Sequence, residues 1–440
     1  MRRAIVLAGG GAKGAYQMGF WKAIRELGID YQIVTGSSVG ALNATLMAQG
    51  DFDAALAMWQ SITTEDIIER TPTKLAESTL SDSIAASLKG IMGDLAEDMV
   101  KVKMDPFPLN KLLSGTLSEK LVRESGIAVG IMTTEYPSMK ATPFTLDDIP
   151  YGMMDDYLLA SSTVFPSMEP KVVSGKKYVD GGYSDNFPVN LALDLGAEEI
   201  IGVGLKASGL EAKYQTDYPV RVIKPSFDLG PSMRFDPKTA ARNIVLGYND
   251  TMKSFGNYDG KSYTFERGEA EKLAKAANGW FANVLYKTGI VPVSERNQFY
   301  KSLAVKAFAE ATKQRFGRMK MECALLSGEA AAEIYGVDPL TVYSAEGFGK
   351  EVEKAFEPFE NEGRKRVEEE VGTAKTLNAK LNQIKDMDKK DVVAYITAKL
   401  LTGLSDKDME REFRALARSL PKEFFAALYL SYQKGQGETE

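Results

Sequence analysis

The chain has 440 residues, of which 44% are hydrophobic and 26% charged; this excludes a disordered or fibrous protein and, at this length, implies one large domain plus a second unit. With 54 Lys and Arg against 60 Asp and Glu, the net charge of -6 excludes nucleic acid as a partner unless a basic face is segregated. The histidine count is zero, which rules out Ser-His-Asp and Cys-His chemistry and removes the commonest metal ligand. Cys323 is the only cysteine, so no intrachain disulfide, redox pair or cysteine zinc cluster can form, and a reducing compartment fits.

Arg3 to Ala8 is a short apolar run that ends in Gly9-Gly10-Gly11, as a buried strand entering a tight loop does. It is too short for a signal-peptide core, and no stretch approaches the ~20 apolar residues that span a bilayer, so the chain reads as soluble and cytoplasmic. Tyr16, Phe20, Ile24 and Leu27 recur at helical spacing, Gly28 supplies a stop, and Tyr31 to Thr35 reads as a second strand. A helix-length connection between two buried strands implies a parallel βαβ unit. Ile84, Leu88, Ile91, Met92, Leu95 and Met99 form a one-sided stripe, read as a packed helix in preference to a mobile lid. Further strands are expected at Ile127 to Met132, Ile200 to Leu205 and Val220 to Ile223.

From about Gly260 the pattern changes to charged helical segments, with apolar positions at Leu377, Leu381 and Ile384. Phe413, Leu416 and Leu420 follow behind a Ser405-x-x-Asp408 start signal. The expected organisation is an α/β domain over residues 1–259 and an all-helical domain over residues 260–440. Glu351 to Glu370 reads as solvated helix faces, and the tail from Gly435 to Glu440 as frayed.

Two glycine motifs carry chemistry. Gly36-Ser37-Ser38-Val39-Gly40 follows the second strand and precedes the helix-compatible Ala41 to Met47. Such a Gly-x-Ser-x-Gly elbow needs small residues on both sides, because the nucleophile occupies a strained backbone conformation that lifts its hydroxyl above the sheet. The helix N-terminus behind it adds partial positive charge beside a developing oxyanion. Gly9-Gly10-Gly11-Ala12-Lys13-Gly14 also fits a dinucleotide-binding loop, but that reading needs an acidic residue at the end of the second strand, where Val34 to Ser38 stand instead. The loop is better explained as free backbone N–H groups aimed at an oxyanion, with Gly10 and Gly11 the preferred donors. Lys13 has at most a supporting electrostatic role.

A serine without histidine needs another base. Asp180-Gly181-Gly182 is the best candidate, because its glycines let another segment approach the carboxylate; Asp185 is the rival.

The glycine loop, the serine elbow and Asp180-Gly181-Gly182, in that order, resemble the patatin-like phospholipases, a family of lipid acyl hydrolases. Ala160 to Pro166 is similar to the family's segment ahead of the aspartate, and Ile244 to Tyr248 to its closing helix; the C-terminal helices lie outside the resemblance. It implies a three-layer α/β/α domain with a mainly parallel central sheet and a Ser38–Asp180 dyad. It further implies an oxyanion loop built on Gly9, Gly10 and Gly11, no cofactor, and a phospholipid or other acyl-ester substrate met at a membrane surface. A lipid-binding module without turnover is the alternative, with a dinucleotide enzyme third.

Overall fold

The computed structural model describes residues 1–67, 69–72, 102–291, 303–312, 319–403 and 409–436. The stripe from Ile84 to Met99, the Ser405-x-x-Asp408 signal and the last residues of the tail lie outside them. Met1–Phe255 and Gly256–Glu440 form two compact units.

The first unit is built on an eight-stranded sheet. Its strands are β1 (Arg3–Leu7), β2 (Ile33–Ser37), β3 (Ala128–Tyr136), β4 (Lys140–Thr145), β5 (Lys171–Val173), β6 (Lys176–Asp180), β7 (Glu199–Val203) and β8 (Val220–Ile223). The order is β8-β7-β1-β2-β3-β6-β5, with β4 also paired to β3. Neighbours from β8 to β3 are parallel, while β4 and β6 run antiparallel to β3, and β5 antiparallel to β6.

The helices used below are α1 (Ala15–Glu26), α2 (Val39–Gln49), α3 (Phe52–Ser61), α4 (Phe107–Thr116), α5 (Met154–Ser161) and α6 (Pro237–Ser254). Successive residues of a strand face opposite sides of a sheet. Gly36 faces Gly40 on α2, whereas Gly130, in register with Thr35, faces Leu191 in the helix Val189–Asp194. Helices therefore cover both faces, and the sheet is the middle of three layers. That explains why Ala4 to Leu7 is an unbroken apolar run: every one of these side chains is fully buried.

The second strand differs from its expectation. It begins at Ile33 and continues through Gly36 and Ser37, which stay in the parallel ladder opposite Ile131 and Met132. The apolar run and the glycine signal place the end too early, because ladder pairing to both neighbours holds Gly36 extended.

The second unit is helical, with main helices at Glu269–Lys287, Met319–Tyr335, Ala345–Glu360, Lys389–Thr402 and Pro421–Gln436. One parallel ladder of Thr264–Phe265 with Val342–Tyr343 departs from an all-helical domain. Two residues per strand are too few to leave a period-2 pattern in sequence. Cys323 is buried here. Among the described residues no helix is long and apolar enough to cross a membrane.

α1 and α6 are joined through a buried carboxylate. Asp250 accepts from the Tyr16 hydroxyl at 2.8 Å, from the Ser226 N–H at 2.9 Å and from its hydroxyl at 2.6 Å, and it pairs with Lys253 at 2.9 Å. Removing one donor from such a cluster costs about 1–2 kcal/mol, whereas removing the carboxylate takes the opposite charge from a largely sequestered lysine and costs about 3–5 kcal/mol. In urea denaturation, Tyr16→Phe should lower the midpoint modestly and Asp250→Ala by at least twice as much.

Candidate active site

The elbow forms where β2 passes into α2. Ser38 has φ 53° and ψ -130°, a conformation that non-glycine residues rarely adopt and that persists only where the surroundings enforce it. Here sterics enforce it. A Cβ on Gly36 would lie 2.2 Å from the Gly40 carbonyl, and one on Gly40 would lie 2.2 Å from the Leu7 carbonyl. Only glycines let strand, corner and helix come this close, which is the physical content of the motif.

Asp180 ends β6, paired with Thr133 of β3, while Ser37 ends β2, paired with Met132; since β4 pairs with β3 on its other edge, β2 and β6 meet end to end along one edge of β3. This brings Ser38 and Asp180 together. The carboxylate accepts from the Gly182 N–H at 2.7 Å and interacts with the Ser38 hydroxyl. Asp180 is 6% exposed. Burial pushes its pKa up to about 6, against the opposing pull of Ser38 and the Gly182 N–H.

Asp185, the rival base, is also buried, but its carboxylate accepts from the N–H groups of Phe187 and Ala212, each at 3.2 Å. It does not line the cleft that Ser38 and Asp180 share. Its geometry is that of a turn brace.

The glycine loop divides its amides. Gly9 donates its N–H to the Asn186 carbonyl at 3.2 Å and accepts from the Asn186 side chain at 3.3 Å, so it braces the loop. This corrects the implied inclusion of Gly9 among the oxyanion donors: its N–H is already committed. Ala12 donates to the Ser232 carbonyl at 2.7 Å. Between these anchors, Gly10 and Gly11 line the cleft, and their N–H groups have no partner among the described residues. The Lys13 ammonium reaches the Lys206 carbonyl at 3.4 Å and is not part of the cleft wall. Gly14 packs against Val39 and Trp59. Gly181 lies against Ser37 and the Met132 carbonyl, and Gly182 against Asn186.

The cleft, counted with the solvent space at its mouth, spans about 1150 Å³. Ser38, Asp180, Gly10 and Gly11 stand among its polar residues, with Ser162, Asn186 and Ser232, and side chains such as Leu46, Trp59, Ile62, Leu113, Leu158 and Phe235 make up most of the wall. These apolar residues come from α2, α3, α4, α5 and the segment before α6, and no sequence motif marks them. Below the wall, Asn43 donates to the Gln17 side chain at 2.7 Å and accepts from the Trp59 indole at 3.0 Å, while Gln17 donates to the Ala8 carbonyl at 2.8 Å. This network ties the cleft wall to the strand end that carries the glycine loop.

A hydroxyl at a strained βα corner, a buried carboxylate beside it and two amides without a partner among the described residues, all lining one apolar cleft, can together activate an oxygen nucleophile and hold an oxyanion. Residues 5–193 match the family model of the patatin-like phospholipases, and this segment is a patatin-like phospholipase domain. A 45-residue stretch is 49% identical to lysophospholipase nte1 of Aspergillus terreus, covering 10% of this chain and 3% of that protein. VipD from Legionella pneumophila is 14% identical with a TM-score of 0.38, the match covering 98% of this chain and 91% of that one. The type III effector protein ExoU is 14% identical with a TM-score of 0.31, over 96% of this chain and 87% of that one.

The raised pKa has a consequence for stability. Asp180 holds its proton more tightly in the folded state than at its ordinary value of 3.8, so its contribution is favourable below about pH 4 and is lost as pH rises through about 6. At pH 8 the ionised side chain costs roughly 3 kcal/mol relative to a neutral one. Asp180→Asn should therefore melt higher than the unmodified protein at pH 8, with the difference shrinking toward pH 4 in thermal scans.

Proposed function

We propose that the chain is a serine lipid acyl hydrolase of the phospholipase A or lysophospholipase type. The Ser38 oxygen attacks the acyl carbonyl carbon while Asp180 takes the hydroxyl proton, and the carbonyl oxygen gathers its negative charge against the Gly10 and Gly11 amides. The tetrahedral centre collapses, the alcohol leaves with the proton from Asp180, and an acyl-Ser38 ester remains. Water then repeats the sequence: it yields its proton to Asp180, attacks the ester, and releases the fatty acid as Ser38 regains its proton.

The observation that carries this reading is the Ser38 hydroxyl beside the buried Asp180 carboxylate, both lining an apolar cleft. A carboxylate with an ordinary pKa is a poor match for an alcohol; at about 6 it is a stronger base that is still mostly ionised at neutral pH. The two amides supply electrostatic stabilisation of the kind that is worth ~3 kcal/mol per donor in acyl transfer. The apolar walls suit an acyl chain, which gains ~0.8 kcal/mol per buried methylene. The family match and the lysophospholipase segment support lipid esters as the substrate class, with transient contact at a membrane surface.

Purified Ser38→Ala and Asp180→Asn should each lose esterase activity by about 10³-fold or more while remaining folded. A serine-directed organophosphonate should label Ser38 stoichiometrically without metal or nucleotide. Mapping of the label to Ser37, or full activity of Asp180→Asn, overturns the assignment. For the unmodified protein, kcat/KM should rise with pH through about 6 as Asp180 ionises. The rate on a lysophospholipid should climb at its micelle-forming concentration; a flat response there argues against interfacial substrates.

A further inference from the structure

Ser161 ends α5 and is fully buried. Its hydroxyl donates to the Met132 carbonyl at 2.7 Å and accepts the Ser38 N–H at 2.9 Å. The single oxygen is thus fixed in both roles, with its donor direction set by the carbonyl and its lone pair set by the amide. Met132 is opposite Ser37 in one ladder, and its neighbour Thr133 is opposite Asp180 in the other. Ser161 therefore ties the backbone of the elbow to the strand that registers the carboxylate.

The elbow needs such a tie. The backbone of Ser38 sits at positive φ, from which a non-glycine residue relaxes unless held. Its N–H takes its partner, the Ser161 hydroxyl, from outside the strand–turn–helix segment. Ordinary helix capping offers no substitute, since the Ser38 side chain makes no capping bond.

We infer that Ser161 is a positioning residue for the acyl transfer, its hydroxyl clamping the Ser38 backbone so that the nucleophile stays aligned with Asp180. The inference rests on the assignment of Ser38 as nucleophile. Ser161 touches neither substrate nor the reacting atoms; it acts through the amide of Ser38. The alignment of a nucleophile with its base is worth far more than the hydrogen bond itself, because small displacements near the reacting centre can lower rates by about 100-fold.

The test compares Ser161→Ala, Ser161→Cys and the unmodified protein on one p-nitrophenyl ester across pH, with thermal scans alongside. Ser161→Ala should lower kcat roughly 10- to 100-fold and leave KM within about twofold, since the cleft wall is untouched. Interaction with Ser38 holds the Asp180 pKa down, so loosening the corner should also move the acid limb of kcat/KM above about pH 6. Ser161→Cys, which keeps a weak donor and acceptor at nearly the same volume, should recover part of the rate and of the limb. Phosphonate titration counts folded, competent sites, so kcat per site remains readable if the alanine variant is poorly stable. Unchanged kcat per titrated site with an unmoved acid limb overturns the inference while leaving the hydrolase reading intact. An inactive unmodified protein overturns both.

Discussion

The site depends on one change of strand direction. β2 runs parallel to β3 and β6 antiparallel to it, both along the edge opposite β4, so the C-terminal ends of β2 and β6 meet head-on at Met132 and Thr133. In a sheet parallel throughout, the ends of β2 and β6 would point the same way and would not converge. The reversal sets a hydroxyl from an early corner beside a carboxylate from far downstream. Burial does the rest, since a carboxylate shielded from water holds a proton that it would otherwise release.

The proposed chemistry, which needs no imidazole, rests on that burial. In a hydrated site an aspartate would be too weak a base for a serine hydroxyl, and the glycine loop could not compensate across water. In this cleft burial pushes the carboxylate pKa up to about 6, and Gly10 and Gly11 share the cleft with leucine, tryptophan and phenylalanine side chains. In the proposed reaction the apolar lining serves twice: it shapes a place for an acyl chain, and it supplies the low-dielectric surroundings that the pair and the amides require.

The legible parts of the site were those whose physics is local. The elbow can be read from Gly36 to Gly40 because close packing of strand, corner and helix demands glycine within a few residues of the serine. The loop at Gly9 to Gly14 is legible for a similar reason, but the division of labour among its amides is not. Whether Gly9 or Gly10 has a free N–H depends on Asn186, which arrives from the far side of the domain. Asp180 and Asp185 are alike in composition and setting and differ in what faces them, which only the register of β6 against β3 decides. Ser161 belonged to a recognised segment without a visible task, because its two partners lie on separate elements. The apolar walls carry no signal beyond ordinary hydrophobic spacing, and the short ladder in the second unit is too brief to show any.

The reciprocal bonds between Gly9 and Asn186 stitch the glycine loop to the segment that follows Asp180. Cradle and proton acceptor are consequently one mechanical piece. In the proposed mechanism, a change in the turn after the aspartate would therefore bear on both the base and the oxyanion loop. For anyone redesigning this scaffold toward a bulkier ester, room has to be made in the leucine-rich wall, because the polar end moves as a single body.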